Sequence, residues 1–209
     1  MDATITVRSV EDVGPDTVAV VFDAPSEFDA KPGQFARLTA EVDGEPESRF
    51  YTVSSPDTEG TFETTVGLDG GDFSAKLASL ESGDTVELSG PFGDDYYEGE
   101  PRALVLAGGP GIGPAVAIAE AALDAGNEAA VVYRDDDPAH TERLDAIRER
   151  GASVVVTDDG IEDAVADAVT GVEGERAFVY GFSEFVDEAS EALVAAGVDV
   201  ADAKVESFG

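Results

Sequence analysis

The stretch Ala103-Leu104-Val105-Leu106-Ala107-Gly108-Gly109-Pro110-Gly111-Ile112-Gly113-Pro114 decides the fold of this chain. An unbroken apolar run closed by glycines reads as a strand buried on both faces, as strands of a parallel sheet are. The glycines let the backbone turn tightly, and Pro114 suits the first position of a helix, where no N–H is required. Downstream the pattern repeats. Further strands are expected at 129–133, 153–157, 177–180 and 203–206, and helices at 114–124, 141–150, 161–169 and 184–196. Apolar strands alternating with helices predict a parallel α/β sheet covered on both faces.

Upstream the period changes. Short strands rich in β-branched residues are expected at 5–7, 17–22, 34–41, 48–53, 61–66 and 85–90. Gly14-Pro15, Lys31-Pro32-Gly33 and Asp43-Gly44 punctuate them, and one helix is expected near 72–80. Such a series of about six short strands predicts a small antiparallel β-barrel or sandwich, and a six-stranded barrel is the fold expected here. The fold class is therefore β followed by α/β, with domains over 1–99 and 100–209 and a hinge near 99–102.

Charge and composition narrow the function. The chain has 209 residues and a net charge of −34, from 46 acidic and 12 basic side chains. Nucleic-acid binding needs basic residues to neutralise phosphates, and an anionic membrane surface makes the same demand, so neither partner is expected. Cysteine is absent, which excludes disulfides, Cys-ligated metal and a catalytic thiol, and His140 is the one histidine. No metal site is expected. There is no long apolar run, and Met1 is followed by Asp2, so a cytoplasmic location is expected. Acid is spread along the whole length, and only Lys31, Lys76 and Lys204 are lysines. A surface that repels itself in this way is best tolerated in molar salt, where the Debye length falls to about 3 Å. The composition resembles that of proteins from extreme halophiles, and surface carboxylates are correspondingly weak markers of function.

Five segments carry chemistry. Gly108–Pro114 offers backbone N–H groups and a helix N-terminus to a phosphate, although Pro114 stands where a dinucleotide fingerprint has its third glycine. A ligand-free glycine-rich connection is the alternative. In Arg49-Phe50-Tyr51-Thr52, Arg49 and Tyr51 share a strand face. A guanidinium can clamp a pyrophosphate through two parallel bonds, and a phenol ring can pack on a flat heterocycle. A routine half-buried strand is the alternative there. Gly71-Asp72-Phe73-Ser74 opens a helix and could seat an anion or simply cap it. Gly83-Asp84 followed by Gly90-Pro91-Phe92-Gly93 is the fourth segment, and Glu206-Ser207-Phe208-Gly209 the fifth.

In this order the segments resemble the ferredoxin–NADP reductase family of flavoenzymes, over nearly the whole chain from Gly33 to Gly209. The resemblance implies that Arg49 holds the pyrophosphate of FAD, that Tyr51 packs on the isoalloxazine or bonds the ribityl chain, and that Thr52 sits near flavin N5. It implies phosphate contacts from Gly71 and Ser74. Tyr96 and Tyr97, following the fourth segment, are placed as rings for the adenine. Gly108, Gly109, Gly111, Ile112 and Pro114 match the loop that receives the nicotinamide dinucleotide. Glu206 and Phe208 match a terminal acidic-x-aromatic element beside the flavin. Thr52, Glu206 and Phe208 are thus the expected catalytic residues. Many relatives carry Cys-Gly where this chain has Tyr180-Gly181, next to the nicotinamide, and many carry an iron–sulfur domain for which no cysteines are available.

The implied activity is NAD(P)H-dependent flavin oxidoreduction, with electrons exchanged with a separate one-electron carrier such as ferredoxin or a flavodoxin-like protein. Asp135, Asp136 and Asp137 after the second α/β strand favour a free ribose hydroxyl and hence NADH. Arg134 could instead receive the 2′-phosphate of NADPH. A flavin-bearing subunit of a larger redox complex and a non-enzymatic nucleotide sensor are the alternatives.

Overall fold

A computed structural model describes residues 1–68 and 71–208. The amino-terminal part is one antiparallel sheet of six strands: β1 (Asp2–Gly14), β2 (Thr17–Asp23), β3 (Phe35–Val42), β4 (Glu45–Thr52), β5 (Thr61–Gly67) and β6 (Thr85–Phe92). Its order is β4-β3-β6-β1-β2-β5. The two edges meet just beyond β4, where Val53 bridges Thr64 of β5, and this closes the sheet into the expected barrel. Helix α1 (Asp72–Ala78) plugs it, with Phe73 and Leu77 buried among Leu38, Val53, Phe62 and Val66.

Strand β1 is much longer than its apolar signal at 5–7. The segment from Arg8 to Val13 mixes exposed polar with half-buried side chains, so no apolar run marks it, yet it pairs with β2 along its length. Its far end brings Val13 and Gly14 to the other half of the molecule, where the Val13 carbonyl accepts from the His140 N–H at 2.7 Å.

The second sheet is parallel: β7 (Arg102–Gly108), β8 (Glu128–Arg134), β9 (Ser153–Thr157), β10 (Glu175–Gly181) and β11 (Lys204–Ser207), in the order β11-β10-β7-β8-β9. Alternate residues of β7 feed opposite cores. Ala103, Val105 and Ala107 pack beneath α2 (Ile112–Asp124) and α3 (Thr141–Glu149), and Leu104 and Leu106 beneath α4 (Glu162–Ala168) and α5 (Ser183–Ala195). That double burial explains the unbroken apolar run. A 3₁₀ turn at Gly109–Gly111 precedes α2, so the helix begins two residues before Pro114, which stays within the first turn where proline is tolerated. The order reverses between β7 and β10, and in open α/β sheets the crevice at such a switch, outside the carboxyl ends of the strands, is where ligands bind. Gly108 and Gly181 end those two strands.

Candidate active site

At that crevice the barrel faces the α/β unit across a cavity of about 480 Å³, within the ordinary range for small-molecule sites. From the barrel come Arg49, Phe50, Tyr51 and Thr52 of β4, Thr65 of β5 and Ser74 of α1. From the α/β unit come Pro110, Pro114, Phe182, Glu206 and Phe208. Residues 154 positions apart thus meet: the Thr52 hydroxyl donates to Glu206 Oε1 at 3.0 Å.

The barrel wall is built by strand alternation. Arg49 and Tyr51 project to the same side and flank Phe73, with the guanidinium 5.8 Å from that ring and the Tyr51 ring stacked 6.1 Å from it. Arg49 bonds its neighbour's carbonyl, Ser48 O, at 2.8 Å, and Glu47 at 3.2 Å, and its side chain is 55% exposed. It is the one cation among the described residues lining the cavity, and these surface bonds are weak enough to yield to an anion. Burial pushes the Tyr51 hydroxyl up to about 12, against the pull of Arg49, so the ring is neutral. Ser74 lines the cavity but donates to Gly71 O at 2.8 Å, and Gly71 itself is exposed and outside the lining.

The opposite wall is acidic and aromatic. Burial first, and Asp95 next, push the Glu206 carboxyl up to about 7, against the lowering effect of the Thr52 hydrogen bond. A group poised there both holds and releases a proton near neutrality. Phe208 is pinned by its N–H to Gly181 O at 2.9 Å, and its ring meets Phe182 edge-on at 6.1 Å.

Several expected site residues lie elsewhere. Tyr97 is no free stacking surface: it is buried against Phe178, donates to Glu100 O and accepts from Asn127 Nδ2. The Tyr96 ring lies 5.7 Å from the Lys204 ammonium, outside the cavity lining. Tyr180, where the resemblance led to the expectation of a cysteine, is fully buried outside the cavity lining and donates to Asp95 O at 2.9 Å. Ile112 is wholly core. Gly108, Gly111 and Gly181 are small for packing: a Cβ would overlap the Phe185 ring at the first and crowd it at the third, and would overlap the Tyr180 carbonyl at the second. In this loop Gly109, at φ +54°, has open space around it, as does Gly71 at the start of α1. Arg134 is ion-paired with Glu188 of α5, and Asp135 turns inward to accept from Tyr133 at 2.8 Å.

Sequence reasoning passed over four residues. Phe50, 61% exposed, forms a surface cluster with Phe35 and Phe92, at ring separations of 5.4 and 6.2 Å. Phe182, exposed at the carboxyl end of β10, carried a legible signal, since an aromatic just past a parallel strand stands at the binding edge. Thr65 and His140 carried none. His140 is buried with Nε2 2.8 Å from Thr65 Oγ1, which in turn lies 2.9 Å from Ser54 Oγ. Burial, with Arg143 adding to it, lowers the imidazole to about 3, so it is neutral. No group of residues able to hold a metal occurs among the described residues, and none of their helices is long and apolar enough to cross a membrane.

Residues 4–97 match the family model of the oxidoreductase FAD-binding domain. The glycine betaine monooxygenase reductase subunit of Pseudomonas aeruginosa is 35% identical over 122 residues, covering 56% of this chain and 33% of that protein. The toluate 1,2-dioxygenase electron transfer component of Pseudomonas putida is 31% identical over 154 residues, covering 69% of this chain and 45% of that protein. The chain thus spans about a third to a half of the length of these curated relatives. A crystal structure of a ferredoxin NADP+ reductase from Neisseria gonorrhoeae, with bound FAD and NADP, superposes with a TM-score of 0.80 at 19% identity, covering 99% of this chain and 97% of that one. That likeness establishes the two-part fold.

Proposed function

We propose, from the match of residues 4–97 to the oxidoreductase FAD-binding domain, that the chain is an FAD-dependent NAD(P)H oxidoreductase that passes electrons to a separate one-electron carrier. One observation carries the reading. Arg49, Tyr51 and Thr52 face Pro114, Glu206 and Phe208 across a single cavity at the switch point of the parallel sheet. The donor set fits a flavin dinucleotide: a forked cation for the pyrophosphate, a neutral phenol for the ring system, and small hydroxyls between them.

Bound FAD supplies a ring that accepts hydride and gives up electrons singly. This chain's residues do the rest. Arg49 takes the pyrophosphate, and Ser74 lines its approach. Tyr51 backs the ring system, and Thr52 offers a hydroxyl at its edge. Phe50, with Phe35 and Phe92 behind it, offers the adenine the face that the buried Tyr97 does not. Glu206 holds a proton at the same spot and exchanges it near pH 7. Phe182 and Phe208 keep water from that end of the cavity. Pro110 and Pro114 line the side from which the nicotinamide arrives, and Gly109 leaves the backbone open to a phosphate.

NADH is the favoured donor. The cation that a 2′-phosphate requires, Arg134, is held by Glu188. Ferredoxin or a flavodoxin-like protein fits the role of acceptor. A second reading, a subunit working only inside a larger redox complex, is supported by the reductase-subunit and electron-transfer-component names of the relatives. An absorbance spectrum taken before and after anaerobic addition of NADH or NADPH tests the proposal. A yellow protein bleached by dinucleotide upholds it. Bleaching without reduction of any added carrier favours the subunit reading, and a protein that stays colourless with excess FAD overturns both.

A further inference from the structure

Behind the cavity one guanidinium joins four parts of the molecule. Arg143, on α3, donates from Nε and Nη2 to the two oxygens of Glu120 on α2, at 2.8 and 2.7 Å. Nη1 donates to Glu63 of β5 at 2.9 Å, and Nη2 also reaches the Ser54 carbonyl, just past β4, at 2.7 Å. The side chain is 23% exposed and both carboxylates are as sheltered. A planar fork with four bonds in such a place fixes orientation as well as distance, which a flexible ammonium does not.

The second attachment of α2 lies at its start. Gly113 packs so closely on Ser54 and Thr65 that a Cβ would overlap both hydroxyls, and the Ser54–Thr65–His140 hydroxyl–imidazole chain runs behind that point. Gly113 and Glu120 lie about 10 Å apart along the helix, at 1.5 Å per residue. Helix α2 is thus tied to the barrel at two points, directly at Ser54 and Thr65 and through Arg143 at Glu63 and the Ser54 carbonyl, next to the end of the strand that carries Arg49, Tyr51 and Thr52.

We propose that Arg143 is a positioning residue for hydride delivery, the pin that holds the nicotinamide side of the cavity in register with the flavin side. The inference rests on the flavin-reductase reading. Hydride transfer needs reacting atoms about 3–3.5 Å apart, and a displacement of about 1 Å can cost on the order of 100-fold in rate. Arg143 touches neither reactant and acts through Glu120, Glu63 and the Ser54 carbonyl.

The test compares the full chain with Arg143→Gln, Arg143→Lys and Glu120→Gln, each at matched FAD occupancy. Anaerobic stopped-flow bleaching by NADH gives a limiting rate and a half-saturating concentration. For Arg143→Gln the limiting rate is expected to fall by about 10- to 100-fold while half-saturation moves less than about threefold, with Arg143→Lys in between. Amide exchange over 54–66 and 112–120 is expected to quicken in the same order. If Arg143→Gln does not fold, Glu120→Gln takes its place, because it keeps the Arg143–Glu63 pair. A lower melting temperature with a limiting rate within about twofold of the parent overturns the pin and leaves a plain stabilising ion pair. A parent that neither dinucleotide bleaches overturns the functional reading instead, and exchange over the two segments then decides the pin by itself: unchanged protection overturns it.

Discussion

The two walls of the cavity are made in different ways. The barrel wall is local: Arg49, Tyr51 and Thr52 come from one strand, and Ser74 from the helix packed on it. The α/β wall is assembled from the ends of separate elements, with Pro110 and Pro114 after β7, Phe182 after β10, and Glu206 and Phe208 at the edge strand β11. The first wall carries the charge and the second the titratable proton. On the proposed reading, binding strength concentrates on the barrel, while timing and geometry depend on how well the distant ends are held together.

The sharpest way to break that division is Arg49→Ala. Loss of charged hydrogen bonds of roughly 1.5–3 kcal/mol weakens FAD binding by about 10- to 150-fold, so the variant purifies largely colourless and regains flavin at high FAD. Arg49→Lys falls between. Arg37→Ala, whose guanidinium bonds Ser89 Oγ at 3.0 Å on another face of the barrel, stays yellow. Equilibrium titration with FAD measures all three, and unchanged affinity in Arg49→Ala would remove the barrel wall from the flavin site.

Glu206→Gln should break the other wall without touching flavin affinity. The folded carboxyl, at about 7, lies above its ordinary value of 4.5, so its ionised form is the one the fold penalises. That penalty is absent below about pH 4.5, grows as pH rises, and is complete above about pH 7. The Gln variant is expected to match the parent in acid and to be more stable above pH 7, by at most about 3 kcal/mol. In the parent, a rate that uses the protonated form falls as pH passes 7, and this limb disappears in the variant. Thr52→Val removes a bond that lowers the carboxyl's titration point, so the limb moves to higher pH. Denaturation and rate profiles from pH 5 to 9 decide both.

Smaller effects sharpen the comparison. Glu188→Gln frees Arg134 on the α/β side, and the NADPH to NADH ratio of kcat/KM should rise several-fold, with no change in flavin affinity. Salt acts on both walls together. With a net charge of −34, the melting temperature is expected to climb by several degrees from dilute to molar KCl as self-repulsion is screened. A melting temperature that falls with salt would remove the halophilic reading.

What could be foreseen in the sequence follows the same division. Strand alternation placed Arg49 and Tyr51 on one face, and the run 103–107 dictated a doubly covered strand, because both signals are local. The choice between Tyr96 and Tyr97 was not local, since the burial of Tyr97 is set by Phe178 and Asn127, far along the chain. The glycines of the loop look alike in sequence, yet Gly108 answers to Phe185, Gly111 to Tyr180 and Gly113 to the barrel. His140 had no pattern around it at all, because its partner Thr65 lies 75 residues away. Long polar strands such as β1 were hidden for a related reason: their pairing is decided by β2 and β6 rather than by their own apolar content.

The bare backbone at Gly113 has a consequence for anyone who would recombine these halves. The helix brings no side chain of its own to that contact, and its backbone rests directly on the Ser54 and Thr65 side chains. A graft of this α/β half onto another barrel inherits that tolerance of less than one methyl group. The host must offer a hollow between two small hydroxyl-bearing residues at the same spot, or the crevice is wedged open before any cofactor arrives.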